Sequence, residues 1–166
     1  MSLASNTSSE FLTFSVSTEE FCIDILKVRE IRGFTGVTRL PSAPPDVPGV
    51  INLRGVIVPL IDLRIRFGMK DPGYDANTIV IVLALDDRTV GIVVDGVSDV
   101  VRLELEDIKE PPGIKFSQEC SIVGMATQDE RMVMVLDIDA TLAGNAKGLE
   151  DVVGAAVNSA AFVASA

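Results

Sequence analysis

The chain has 166 residues, 48% of them hydrophobic, with no histidine, no tryptophan and one tyrosine; 24 acidic and 14 basic side chains give a formal net charge of −10. The length suits one compact domain or two small lobes, and the apolar content excludes an acidic disordered chain. The missing histidine rules out Ser-His-Asp and Cys-His nucleophile systems and most zinc sites, and the excess of acid argues against binding a phosphate backbone.

Residues 1–9 lack a basic or apolar leader region and read as a flexible tail. Glu10–Val16 and Glu19–Ile25 flank Ser17-Thr18 and read as a hairpin. Pro41–Pro48 (PSAPPDVP) is a rigid crossing whose prolines forbid a ladder strand. Val50–Leu53 and Ile57–Leu63 form a second pair of strands around Arg54-Gly55, and Gly68–Asn77 is a connection. Thr78–Leu85 and Arg88–Val94 flank Asp86-Asp87 as another hairpin. Glu104–Ser117, with Pro111-Pro112-Gly113, is a loop; Ile122–Met125 and Met132–Ile138 follow as strands around a longer turn, Ala126–Glu130. Near the C-terminus, Leu149, Val152, Val153, Ala156, Val157 and Ala160 share one helical face. No apolar run is long enough to span a bilayer, so the expectation is a cytoplasmic protein that works through its surface.

The elements repeat. The two hairpins align at an offset of 69 residues, with Phe21, Ile23 and Ile25 on Val90, Ile92 and Val94, and the segment Lys27–Ile31 falls on Gly96–Val100. Val50–Leu53 aligns with Ile122–Met125, and Ile57–Leu63 with Met132–Ile138, which puts Asp62 on Asp137. A repeat of about 70 residues with four or five short strands predicts two small β-barrels in tandem that share a core. Charge divides unevenly: residues 1–70 carry 8 basic and 7 acidic side chains, residues 71–166 carry 6 and 17. The second half is the acidic one, which fits either a separate partner surface or a solvated face kept for solubility.

Chemistry-bearing motifs are scarce. No phosphate-loop, dinucleotide, nucleophile-elbow or zincin pattern occurs. The acidic cluster Asp95, Asp99, Glu104, Glu106 and Asp107 lacks calcium-loop spacing. Asp62 and Asp137 follow apolar strands and read as helix N-caps. Cys22 and Cys120 sit in or beside apolar stretches and read as reduced, mostly buried thiols. Arg54 lies at a turn between two apolar strands, with Glu30 a plausible partner, and Gly49 suggests a close backbone approach or positive φ. An exposed turn arginine and a simple turn glycine are the plainer alternatives.

The run Asp24–Ile31, then Gly49–Arg64, Thr78–Leu85 and Val90–Val101, resembles the CheW family of chemotaxis coupling proteins over about residues 10–145. The resemblance implies an all-β fold of two five-stranded SH3-like barrels packed on a shared hydrophobic core, with short helices and a C-terminal helix. It divides the chain into a tail (1–9), a CheW-like domain (10–147, with lobes at about 10–70 and 78–140) and a C-terminal helix and frayed end (148–166). It implies a non-enzymatic adaptor, without cofactor, metal or small-molecule substrate, that joins the cytoplasmic tip of transmembrane chemoreceptors to the histidine kinase CheA. By position, Val28, Glu30, Ile31, Gly49, Arg54 and Val100 match receptor-facing positions of a groove between the lobes, and Ile79 and Val97 are assigned to the kinase surface at exposed strand ends. The alternative for such a fold class is a small β-barrel nucleic-acid-binding module.

Overall fold

The structure, a computed structural model, describes residues 8–86, 88–110 and 121–143. Asp87, most of the N-terminal tail, the Pro111-Pro112-Gly113 loop, Cys120 and the C-terminal helix lie outside the described residues. Among the described residues ten strands run in chain order as β1 (Ser8–Val16), β2 (Glu19–Asp24), β3 (Val28–Gly33), β4 (Gly49–Leu53), β5 (Val56–Asp62), β6 (Ile79–Ala84), β7 (Thr89–Val94), β8 (Gly96–Glu104), β9 (Ile122–Gln128) and β10 (Arg131–Leu136). Two short helices, α1 (Leu63–Arg66) and α2 (Ile138–Ala143), follow β5 and β10.

Both expected hairpins form in register: Phe14 opposite Phe21, and Ile81 opposite Ile92. Two five-stranded sheets result, in the orders β8-β1-β2-β10-β9 (barrel A) and β3-β6-β7-β5-β4 (barrel B). The fold is therefore the all-β, two-barrel SH3-like architecture. The lobes, however, do not correspond to chain segments 10–70 and 78–140. Each barrel joins the hairpin of one repeat to the three later strands of the other. A 3-10 turn at Ile25–Lys27 carries the chain from barrel A to barrel B, and Asp95 carries it back. The exchange leaves one parallel contact per barrel, β2 with β10 and β5 with β7, at equivalent places. A repeat detected in sequence is the same for tandem and for exchanged modules; only the pairing differs.

The strand exchange explains why several strands are almost continuously apolar. Strands buried on both faces lose the polar half of the alternation. In β6, Val80 and Val82 point into barrel B while Ile81 and Leu83 join the shared core; in β7, Val93 points into the barrel and Val90, Ile92 and Val94 into the shared core. Phe14, Phe21, Ile23, Ile61, Leu136 and Leu142 complete that shared core from both barrels, with Phe14 and Phe21 ring centroids 5.9 Å apart. Barrel A keeps its own interior of Phe11, Cys22, Val101, Leu103, Val133 and Val135. Burial pushes the Cys22 thiol up to about 12 from 9.0, so it stays protonated and unreactive while the protein is folded.

The second strand pair of the repeat needs a different register from the expected one. The β4–β5 turn is Arg54-Gly55, with φ of 52° and 89°, and the β9–β10 turn is Asp129-Glu130, with φ of 52° and 66°. Both are two-residue turns with positive φ at both positions, the twist that suits a hairpin. Val50 bridges Thr38, and Met125 bridges Lys109, so Val50 corresponds to Met125 and not to Ile122. The longer turn expected at Ala126–Glu130 is instead strand up to Gln128. The expected alignment set Asn52 on Gly124, whereas the turns set it on Thr127, so matching the apolar residues alone slipped the strand by three positions. The Pro-rich crossing does stay out of the ladders; it lays Leu40, Ala43 and Val47 over Val50 and Ile57.

Both N-cap assignments hold. The Asp62 carboxylate accepts from the Arg64 backbone N–H at 3.0 Å, and that of Asp137 accepts from Ala140 at 3.0 Å.

Candidate functional site: the seam between the barrels

β3 and β8 occupy the same place in the repeat, each beginning just after a crossing and each lying at the end of a sheet order. Their residues correspond at the offset of 69: Val28 with Val97, and Ile31 with Val100. Val28 and Val97 are both half-buried against the shared core, whereas Ile31 and Val100 stand 45% and 48% exposed. Each strand thus presents one residue to the core and one, three positions on, to solvent.

On the barrel B side the exposed edge carries charge. Arg54 Nη2 lies 3.4 Å from Glu30 Oε2, and Arg32 Nη1 lies 3.7 Å from Glu30 Oε1. The expected Glu30–Arg54 pair is present, joining β3 to the β4–β5 turn. Arg54 is 81% exposed while Glu30 is 28% exposed. Such an open pair adds at most about 1 kcal/mol to stability, so Arg54 is an accessible cation and not a brace.

Gly49 has a different role from its neighbours. It is buried at the start of β4 with φ of 154°, and a Cβ there would fall 2.2 Å from the Thr38 carbonyl oxygen. Its missing side chain lets the Thr38–Val50 bridge close barrel B, through hydrogen bonds of 2.8 and 2.9 Å. Gly124 makes the same approach in barrel A, where a Cβ would lie 2.8 Å from the Lys109 carbonyl oxygen. Gly49 therefore supports the site from within and offers no contact surface.

Ile79 and Val97 are not exposed strand ends. Ile79 pairs with Gly33 and Val94, Val97 pairs with Phe14, and both are half-buried on the shared core. Apolar character was correctly seen in both, but strand pairing spends it on packing.

Sequence reasoning passed over a buried ionic cluster that joins the barrels. Arg64 is 2% exposed. Its Nε donates to Asp62 Oδ1 at 3.0 Å, its Nη2 to Asp62 Oδ2 at 2.9 Å and its Nη1 to Asp95 Oδ1 at 3.3 Å. Tyr74 donates its hydroxyl to Asp62 at 2.7 Å, and the guanidinium carbon lies 5.0 Å from the Tyr74 ring centroid. The other oxygen of Asp95 accepts from the Ser17 N–H at 2.6 Å, in the β1–β2 turn of barrel A. Burial works against the Arg64 charge, but the hydrogen bonds and charge of Asp62 and Asp95 outweigh it and raise its pKa. Burial, then the Asp62 carboxylate, pushes the Tyr74 hydroxyl up to about 12. The only sequence signal was an arginine two positions beyond an N-cap aspartate at the end of an apolar strand.

The acidic cluster seen in sequence is therefore structural at its core. Asp95 serves Arg64 and Ser17, and Asp99 accepts a 2.7 Å hydrogen bond from the Thr13 hydroxyl at the β1–β8 bulge. Among the described residues no three carboxylate or thiol side chains gather as a metal-ligand set, and no helix is long and apolar enough to cross a membrane.

Two exchanged barrels on a shared core, with apolar residues exposed on both edge strands, an open ion pair and no catalytic constellation among the described residues, have the surface of a protein-binding scaffold. Comparison with known proteins makes the class specific. The CheW-like domain family matches residues 10–145. The chain is 48% identical over 143 residues to the chemotaxis protein CheW of Klebsiella aerogenes, covering 86% of each chain, and 33% identical over 137 residues to that of Bacillus subtilis, covering 82% of this chain and 88% of the relative. The crystal structure of the scaffolding protein TtCheW from Thermoanaerobacter tengcongensis superposes with a TM-score of 0.71 at 29% identity, covering 78% of this chain and 88% of that one. The chain belongs to the CheW family, whose members are non-catalytic chemotaxis scaffolds; the nucleic-acid-binding alternative is not favoured.

Proposed function

We propose that this scaffold couples transmembrane chemoreceptors to the histidine kinase CheA, acting in the cytoplasm at receptor arrays. The receptor's helical cytoplasmic tip lies along the seam, its apolar face on Ile31 and Val100 and its polar flank at the Glu30–Arg54 rim. Val28 and Gly49 shape that wall from beneath. Leu26, 88% exposed on the crossing that leads into β3, extends the apolar strip. The kinase takes exposed strand ends of the barrels, with Ile79 and Val97 holding the strands there from the core side. The observation that supports the receptor assignment is the open Arg54: a cation 81% exposed beside an exposed isoleucine adds little to the fold and is available to a partner.

Arg54→Glu tests it. Binding to a soluble cytoplasmic receptor fragment is expected to weaken by about 10- to 100-fold, the range of a rim charge turned from attractive to repulsive. The melting temperature should hardly move, because the exposed pair contributes little to folding. Unchanged receptor affinity in a folded Arg54→Glu protein would remove the groove assignment.

A further inference from the structure

β3 and β8, the end strands of the two sheets, start at equivalent points of the repeat, and each start is tied by an ion pair to a short helix. The ties are opposite in sense and unequal in burial. β8 starts from Asp95, an acid held by the buried Arg64 of α1, which is itself doubly hydrogen-bonded to the fully buried Asp62. Asp95 is fixed on its other side as well, since its backbone N–H donates to Ser15 at 3.0 Å and its free oxygen accepts from Ser17. β3 starts from Lys27, a base paired with Asp139 of α2, and these two side chains are 30% and 40% exposed. The hydrogen bond to Asp139 holds the Lys27 pKa above its ordinary value, with Asp86 and Asp24 adding to the field. The post to which Lys27 is tied does not float: Arg66 of α1 donates from Nη2 to the Thr141 carbonyl of α2 at 2.8 Å.

We propose that Lys27–Asp139 is a releasable latch that sets the position of β3, so that the seam can adjust on its β3 side while its β8 side stays fixed. A single half-exposed pair between flexible side chains exchanges with water and is screened by salt; Asp95 is 31% exposed, but its partner Arg64 is buried and held by Asp62 as well, so that tie is far less open to either. The strand that yields is the one that carries Glu30 and Ile31. Its functional consequence rests on the receptor reading above, as the regulation of that same site, whereas the mechanical part stands without it.

Hydrogen exchange tests the mechanical part, on the full chain and on Lys27→Met, Asp139→Asn, the double variant and Lys27→Arg. Amides of residues 28–33 in Lys27→Met should exchange about two- to fivefold faster, the fold-change that an exposed ion pair commands. Amides of residues 96–104 should not change. The double variant should add little to Lys27→Met, and Lys27→Arg should behave as the parent. Raising salt from about 50 to 500 mM should loosen β3 in the parent and have no such effect in Lys27→Met. Exchange in β3 that ignores Lys27→Met, or β8 that loosens equally, overturns the latch. Affinity for the soluble receptor fragment should change in step with β3 exchange. If it does not move in Lys27→Met while Arg54→Glu still weakens binding, the latch fails as a control of the seam and the receptor site itself stands.

Discussion

Arg64→Met is expected to lower the unfolding free energy by about 3–5 kcal/mol, the cost of leaving a buried charge without its partner. Asp62 is fully buried and would keep only the Tyr74 hydroxyl and the Arg64 backbone N–H as donors to its charge. Arg64→Lys should recover only part of the loss. One ammonium replaces a planar fork that reaches two oxygens of Asp62 and one of Asp95 at once. Joint replacement, Asp62→Asn with Arg64→Met, should cost less than the single change, because the stranded charge is gone. Chemical denaturation of the four proteins measures this. A single Arg64→Met loss below about 1 kcal/mol would mean that the cluster is not the polar centre of the seam.

Gly49→Ala is expected to destabilise by about 3–5 kcal/mol, combining backbone strain with forced separation of packed groups. Its Cβ would meet the Thr38 carbonyl oxygen at 2.2 Å and the carbonyl carbon at 2.9 Å, distances no side-chain rotation can relieve. The Thr38–Val50 bridge must open, and barrel B loses its closure between β3 and β4. Gly124→Ala in barrel A should cost less, since its Cβ would meet the Lys109 carbonyl oxygen at 2.8 Å and not at 2.2 Å, and its backbone is not in the left-handed region. Equilibrium denaturation ranks the two. A Gly49→Ala protein as stable as the parent would contradict closure at this point. The consequence for function follows: loss of receptor binding on substitution of Gly49 reports damage to the barrel, whereas loss on substitution of Arg54 reports a contact.

Local order was legible in the sequence where period and turn chemistry agreed. The four hairpin strands, β1, β2, β6 and β7, lie within two residues of their expected limits, because each apolar run ends at Ser17-Thr18 or Asp86-Asp87. The Glu30–Arg54 pair was legible too, since Glu30 is the one acid of β3 and Arg54 a lone charge at a turn between apolar strands. Long-range pairing was not. Nothing in the residues of the 25–27 crossing says whether the chain returns to its own hairpin or passes to the other barrel; that is settled by burial on both faces of β6 and β7, a tertiary property. Arg64 was illegible for a related reason. Arginine after an N-cap normally faces water, and only the strand exchange brings Asp95 over it. The slip in the β9 register came from matching apolar residues alone and passing over the polar match of Asn52 with Thr127, and the family positions that set Ile79 and Val97 at exposed strand ends carry no information on how far each is buried.

The family fixes a scaffold; the claim that goes further is that this chain carries receptor state to the kinase. Reconstitution of a transmembrane chemoreceptor, the kinase CheA and this protein, with autophosphorylation of the kinase as readout, tests it most directly. Kinase activity should rise well above its basal level and respond to receptor ligand only when the chain is present, and Arg54→Glu should abolish that response while leaving basal activity unchanged. Receptor-controlled kinase activity of equal size without the chain, or none with it, would contradict the account.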